Sequence, residues 1–246
     1  MMCRTAPRIV FPASVMLAVW LVFPAPAPAD DEPDLTGIWR SFRGARSPWP
    51  GDAYTEEARM KIDAYQALIE GTGATPGGFC VGTGMPGSML GSGGYPMEII
   101  QRPEQITIIY EAHTELRRVY LGDREIDPNE LIPTRNGFST GRWDADTLVV
   151  TTTSLKEAVD QGSAHSDEAT IVERYRLSED DDGNKLLVAD LTLTDPRFYT
   201  SPVTVTKTWV AADPDVRMLL YECTEPDWED YLEDLRRRAD GNADRE

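Results

Sequence analysis

Residues 137–154 read GFSTGRWDADTLVVTTTS, and the fold is decided there. Residues 147–153 are almost all β-branched, the composition of a strand. Strand side chains alternate faces, so Leu148, Val150 and Thr152 share one side and Thr147, Val149 and Thr151 the other. Asp144-Ala145-Asp146 supplies the polar turn that joins this strand to the segment ending at Trp143. Two extended runs around an Asp-rich turn make a hairpin.

Working outward, the same device repeats. Strands are expected over 35–40, 97–101, 105–111, 115–121, 137–143, 147–153, 169–177, 185–193, 201–211 and 216–224. Short turns at Arg102-Pro103-Glu104, Ala112-His113-Thr114, 178–184 and Asp213-Pro214-Asp215 separate most of them, and 126–136 is a longer, proline-containing connection. The pattern predicts a mainly β fold, an antiparallel meander of about ten strands. One N-terminal helix is expected over 54–71, where Ala58, Ile62, Tyr65 and Ile69 recur at helical spacing and Gly71 supplies a stop. One C-terminal helix is expected over 226–238, opened by Pro226, with Trp228, Tyr231, Leu232 and Leu235 on its apolar face and Arg236–Arg238 at its negative end. Between 71 and 96 lie ten of the 19 glycines, an irregular loop able to cover one mouth of a barrel. It contains no phosphate-loop motif.

The first 29 residues have the form of a secretory signal peptide: Arg4 and Arg8, an apolar run over 9–23, then Ala27-Pro28-Ala29. The run is short for a spanning helix, which needs about 20 apolar residues. The expected organisation is therefore a signal peptide over 1–29, a single domain over 30–238 and a disordered tail over 239–246, in a periplasmic or secreted protein without stable membrane insertion. The chain carries a formal charge of −18. The leader holds Arg4 and Arg8 and no acidic residue, so the remainder is more negative still. That charge repels nucleic acid and anionic lipid. Removal of Cys3 with the leader leaves Cys80 and Cys223, which in an oxidising compartment pair as one disulfide. A catalytic thiol would need a partnered histidine in an electropositive setting.

Candidate chemistry is sparse. Gly137-Phe138-Ser139-Thr140-Gly141 matches the Gly-x-Ser-x-Gly of serine hydrolases, but that motif needs a strand turning into a helix, and here a strand follows. The acidic tip 180–184 lacks a carboxylate at Ala189, where a calcium loop needs its last ligand. No metal or cofactor is expected. His165, beside Asp167 in the polar loop 157–168, is the candidate general base, with Arg142 as a partner. Arg117, Arg142, Glu173 and Arg174 lie in predicted strands, where charges point outward, pair across strands or line a cavity. Tyr110, Arg117, Trp143, Tyr199 and Trp209 are the candidate ligand-binding residues, and the aromatics among them suit either a pocket wall or a filled core.

Taken in order, Asp34-Leu-Thr-Gly-Ile-Trp39, Pro96-Met-Glu-Ile-Ile-Gln101, Gln105-Ile-Thr-Ile-Ile-Tyr-Glu111, Gly141-Arg-Trp-Asp-Ala-Asp-Thr-Leu-Val-Val150 and His165-Ser166 carry a resemblance. Together they resemble a broad, largely uncharacterised group of exported bacterial lipocalin-like (calycin-type) β-barrel proteins. The resemblance implies a closed barrel in which Trp39, after Gly37, plugs one end. The group often has a histidine where this chain has Phe138 and an aspartate where it has Thr151. If those residues carry chemistry elsewhere in the group, this chain lacks them. The expected function is binding of a small, partly apolar or aromatic ligand in the barrel interior. The alternative is an acid–base enzyme (lyase, isomerase or hydrolase) acting on such a molecule through His165. A third possibility, an envelope interaction protein, would show an exposed apolar patch.

Overall fold

The structure, a computed structural model, describes residues 32–46, 49, 53–91, 94–122, 130–224 and 232, and for 43–46 the backbone alone. The expected leader, the C-terminal helix over 226–238 apart from Leu232, and the tail over 239–246 lie outside the described residues. Alternation of apolar and polar side chains is what the sheet exploits. The strands are β1 (Gly37–Arg46), β2 (Met97–Arg102), β3 (Gln105–Tyr110), β4 (Glu115–Leu121), β5 (Phe138–Asp144), β6 (Thr147–Thr153), β7 (Thr170–Glu179), β8 (Lys185–Thr194) and β9 (Val203–Ala211). They close in sequence order into a nine-stranded barrel, with β9 pairing back onto β1. Every neighbouring pair is antiparallel except β4 and β5, which run parallel.

The organising hairpin forms as the alternation predicts: Trp143 faces Leu148 across β5–β6, and Ala145 makes the turn with φ 55°. Leu148, Val150 and Thr152 point inward and are almost inaccessible. Each fully buried aliphatic side chain of this kind contributes about 1.5–3 kcal/mol. At the β7–β8 tip, Asp180 accepts hydrogen bonds from the backbone N–H groups of Asp182 and Asn184, the local chemistry of a tight polar turn.

Two ends differ. The short-turn end is closed by Trp39, which is buried and donates its indole N–H to the Leu35 carbonyl at 2.9 Å. The opposite end is covered by long connections. Helix α1 (Glu56–Ile69) begins at Thr55, whose hydroxyl accepts the Ala58 N–H. Helix α2 (Gly87–Gly91) rises within the Gly-rich segment and, with Met85, buries Met89 and Leu90 in that mouth. Gly84 is required there: its φ is +72°, and a Cβ would come within 2.5 Å of the Arg135 carbonyl. The disulfide joins Cys80 to Cys223, with Cα atoms 5.5 Å apart.

Two expectations are corrected. The barrel has nine strands rather than about ten, because residues 216–224 form no strand. The β1–β9 pairing has already closed the sheet and leaves that segment no edge, and Leu219 and Leu220 are both exposed, without alternation. The helices also shift: α1 is slightly shorter than the expected 54–71, and α2 occupies part of a stretch expected to be irregular.

Candidate functional site

The inner surface of the barrel is occupied by its own side chains. Arg117 on β4 and Glu173 on β7, which are not neighbouring strands, meet across the interior in a buried ion pair whose side chains are 1% and 0% exposed. The guanidinium donates to Glu173 through both terminal nitrogens, to Thr152 Oγ1 at 2.7 Å and, through Nε, to Ser139 Oγ at 3.1 Å. Tyr175 donates its hydroxyl to Glu173 Oε1 at 2.7 Å. Burial works to lower the Arg117 pKa, but the Glu173 carboxylate more than offsets it, so the guanidinium is held well above its ordinary value. Tyr110 lies in the same field. Its hydroxyl has no hydrogen-bond partner among the described residues, and burial pushes its pKa up to about 12. Trp209 stacks on Tyr175 at 6.5 Å between ring centroids.

The sequence-derived ligand residues therefore divide. Tyr110, Arg117 and Trp209 belong to the filled interior. Trp143 is half-buried near the β5–β6 turn, with no partner for its indole N–H among the described residues. Tyr199 lies at the long-loop end, 4.8 Å from Tyr54 between ring centroids, where it accepts a hydrogen bond from Trp49 and donates one to the Ala164 carbonyl.

The candidate catalytic residues are not brought together either. His165 is fully buried in the long-loop end, hydrogen-bonded through its backbone to Ala158, with Nδ1 3.3 Å from the Ser163 carbonyl. Its Nε2 has no hydrogen-bond partner among the described residues, and burial lowers its pKa. Asp167 is exposed and accepts from Arg197 at 2.7 Å. Arg142 is exposed on the outer face of β5. No hydrogen bond or ion pair links the three among the described residues.

Open space lies where the wall parts. The parallel β4–β5 pairing covers only Val119–Leu121 with Ser139–Gly141. Before those residues the two chains diverge, and the gap between them is a crevice of about 270 Å³. Its lining includes the inward-facing Arg117 and Ser139 and the outward-facing Arg118, Tyr120 and Phe138, together with Asn136. The Tyr120 and Phe138 rings stack at 5.4 Å with 23° between planes. Gly137 allows the chain to turn into β5, with φ +63°, at a position where a Cβ would lie 2.6 Å from the Thr153 carbonyl. Asn136 carries a buried Oδ1 without a hydrogen-bond partner among the described residues. Phe138 and Thr151 fall diagonally across β5–β6 on the outer face.

A second hollow of about 230 Å³ lies at the long-loop end between Trp49, Leu90, Gln161 and Ser163. The sequence marked Arg117, Tyr120 and Phe138 separately, but gave no reason to single out Arg118 or Asn136 or to bring the five together. Their only signal was position just before the shared parallel pairing, which is not visible without the topology.

The fold and crevice define a class: a closed, mainly β barrel stapled by one disulfide, with no helix among the described residues long and apolar enough to cross a membrane. Compared with known protein families and with curated proteins, the chain matches none.

Proposed function

We propose that the protein is an exported, lipocalin-like barrel that binds a small, partly apolar or aromatic molecule in the crevice between β4 and β5. The ligand sits in the wall and not on the barrel axis, where it was expected, because the axis is taken by Arg117, Glu173, Tyr110 and Tyr175. Barrels of this size either fill with side chains or hold one small guest, and here the filling reaches the wall only where the strands stay paired. The observation that carries the reading is a preformed opening with a flat aromatic rim, the Tyr120–Phe138 stack, and a buried polar atom, Asn136 Oδ1, that has no hydrogen-bond partner among the described residues. Its volume, about 270 Å³, falls just below the roughly 300–1,000 Å³ of pockets for drug-sized ligands. The disulfide supports an oxidising compartment such as the periplasm or the exterior.

Native mass spectrometry of protein purified from the organism that makes it tests the reading. A small-mass adduct is expected on the wild-type chain and is expected to disappear in Phe138→Ala. A bare polypeptide mass, or an adduct indifferent to that change, contradicts the crevice as the site.

A further inference from the structure

Resting on that reading, we infer that the ligand is an aromatic carboxylic acid, held as its anion by Arg118. Among the described residues the charges around the crevice are not balanced. Arg117 is neutralised by Glu173 inside the barrel, and Arg135, also in the lining, is paired with Asp160. Arg118 is exposed at the rim and pairs with no acidic group among the described residues. Across β3–β4 it faces Thr107, and the described lining residues contain no carboxylate. Among the described residues, then, the Arg118 guanidinium at the rim has no acidic partner and the crevice lining holds no carboxylate, on a chain whose formal charge is −18. A guanidinium presents a planar fork of donors that matches a carboxylate.

Two further features fix the rest of the molecule. Tyr120 and Phe138 form a stacked pair on the outer face beside Arg118, so a flat ring attached to the carboxylate has an apolar surface to cover. The Asn136 Oδ1, buried and without a hydrogen-bond partner among the described residues, takes a donor, which a hydroxyl or amino substituent on the ring supplies. A neutral hydrocarbon satisfies only the aromatic pair. A simple inorganic anion satisfies only Arg118.

Isothermal titration of the full mature chain with para-hydroxybenzoate and with its neutral analogue para-hydroxybenzamide tests the inference, with amide chemical shifts recorded in parallel. The acid is expected to bind about tenfold or more tightly than the amide, weakening with added salt. Arg118→Gln is expected to remove that preference, bringing the acid down to about the affinity of the amide, and Phe138→Ala to weaken both. Shifts are expected at Asn136, Phe138 and Ser139. Equal binding of the two probes with the shifts in place overturns the carboxylate while leaving the crevice as a ligand site. An acid preference that survives Arg118→Gln overturns the role of Arg118. Absence of binding and of shifts for both probes overturns the inference together with the reading on which it rests.

Discussion

Glutamine in place of Glu173 is the perturbation for which the structure gives the clearest magnitude. The substitution is nearly isosteric, so packing hardly changes, but it leaves the Arg117 cation in a site where its side chain is 1% exposed with no counter-charge. Breaking a buried pair by removing one partner costs about 3–5 kcal/mol, most of it the penalty of an uncompensated charge. With a urea m-value of about 2 kcal/mol/M, the unfolding midpoint falls by roughly 2 M at constant m. The paired replacement Arg117→Met with Glu173→Leu removes both charges. It leaves Ser139 and Thr152 to satisfy one another at 2.9 Å and the Tyr175 hydroxyl with the Met89 sulfur at 3.8 Å as its weaker acceptor, so its cost is expected to be smaller, about 1–3 kcal/mol. Urea unfolding followed by tryptophan fluorescence measures all three proteins. A Glu173→Gln midpoint within about 0.5 M of wild type, or a double variant less stable than the single one, refutes the account of the interior.

Three other outcomes follow from the same geometry. Reduction of Cys80–Cys223, or replacement of both by serine, opens a link spanning 143 residues and is expected to cost up to about 5 kcal/mol on the chain-entropy estimate, read as a urea midpoint shift with and without reductant. Gly141→Ala places a Cβ 2.7 Å from Val119 Cγ1 and 2.9 Å from Leu121 Cδ2, so an overpacking loss of about 1–3 kcal/mol is expected in thermal or urea unfolding. Burial depresses the His165 pKa below its ordinary 6.5, so the unfolded chain binds the extra proton first on acidification. Stability linked to this histidine is therefore fully present above about pH 6.5 and is lost as pH falls below it; His165→Gln is expected to flatten the stability–pH curve below about pH 6.5.

Much of the barrel was legible because inward positions are apolar at every second residue. The predicted span over 147–153 coincides with β6, and 115–121 coincides with β4. Residues 216–224 misled because Val216, Leu219, Leu220 and Tyr221 are apolar enough for a strand, yet closure of the sheet by β1 and β9 is a property of the whole chain. The direction of β5 relative to β4 was equally hidden. A connection from Gly122 to Gly137 is long enough to return to the starting end and make the pair parallel, but no local residue demands it. The site was legible only in part. Arg117 and Glu173 were both marked as strand-borne charges, but their pairing bridges strands that are not neighbours, and alternation says nothing about contacts across an interior. His165 stood out as a loop histidine beside a carboxylate, whereas the chain turns its ring into the long-loop end and leaves Asp167 outside with Arg197.

A crystal structure of the protein purified from the organism that makes it, with no ligand added, measures the central claim most directly. Density for a small planar molecule between β4 and β5, in contact with Asn136 and the Tyr120–Phe138 pair, is the predicted result. A crevice holding only water, with the foreign density elsewhere or absent, contradicts it.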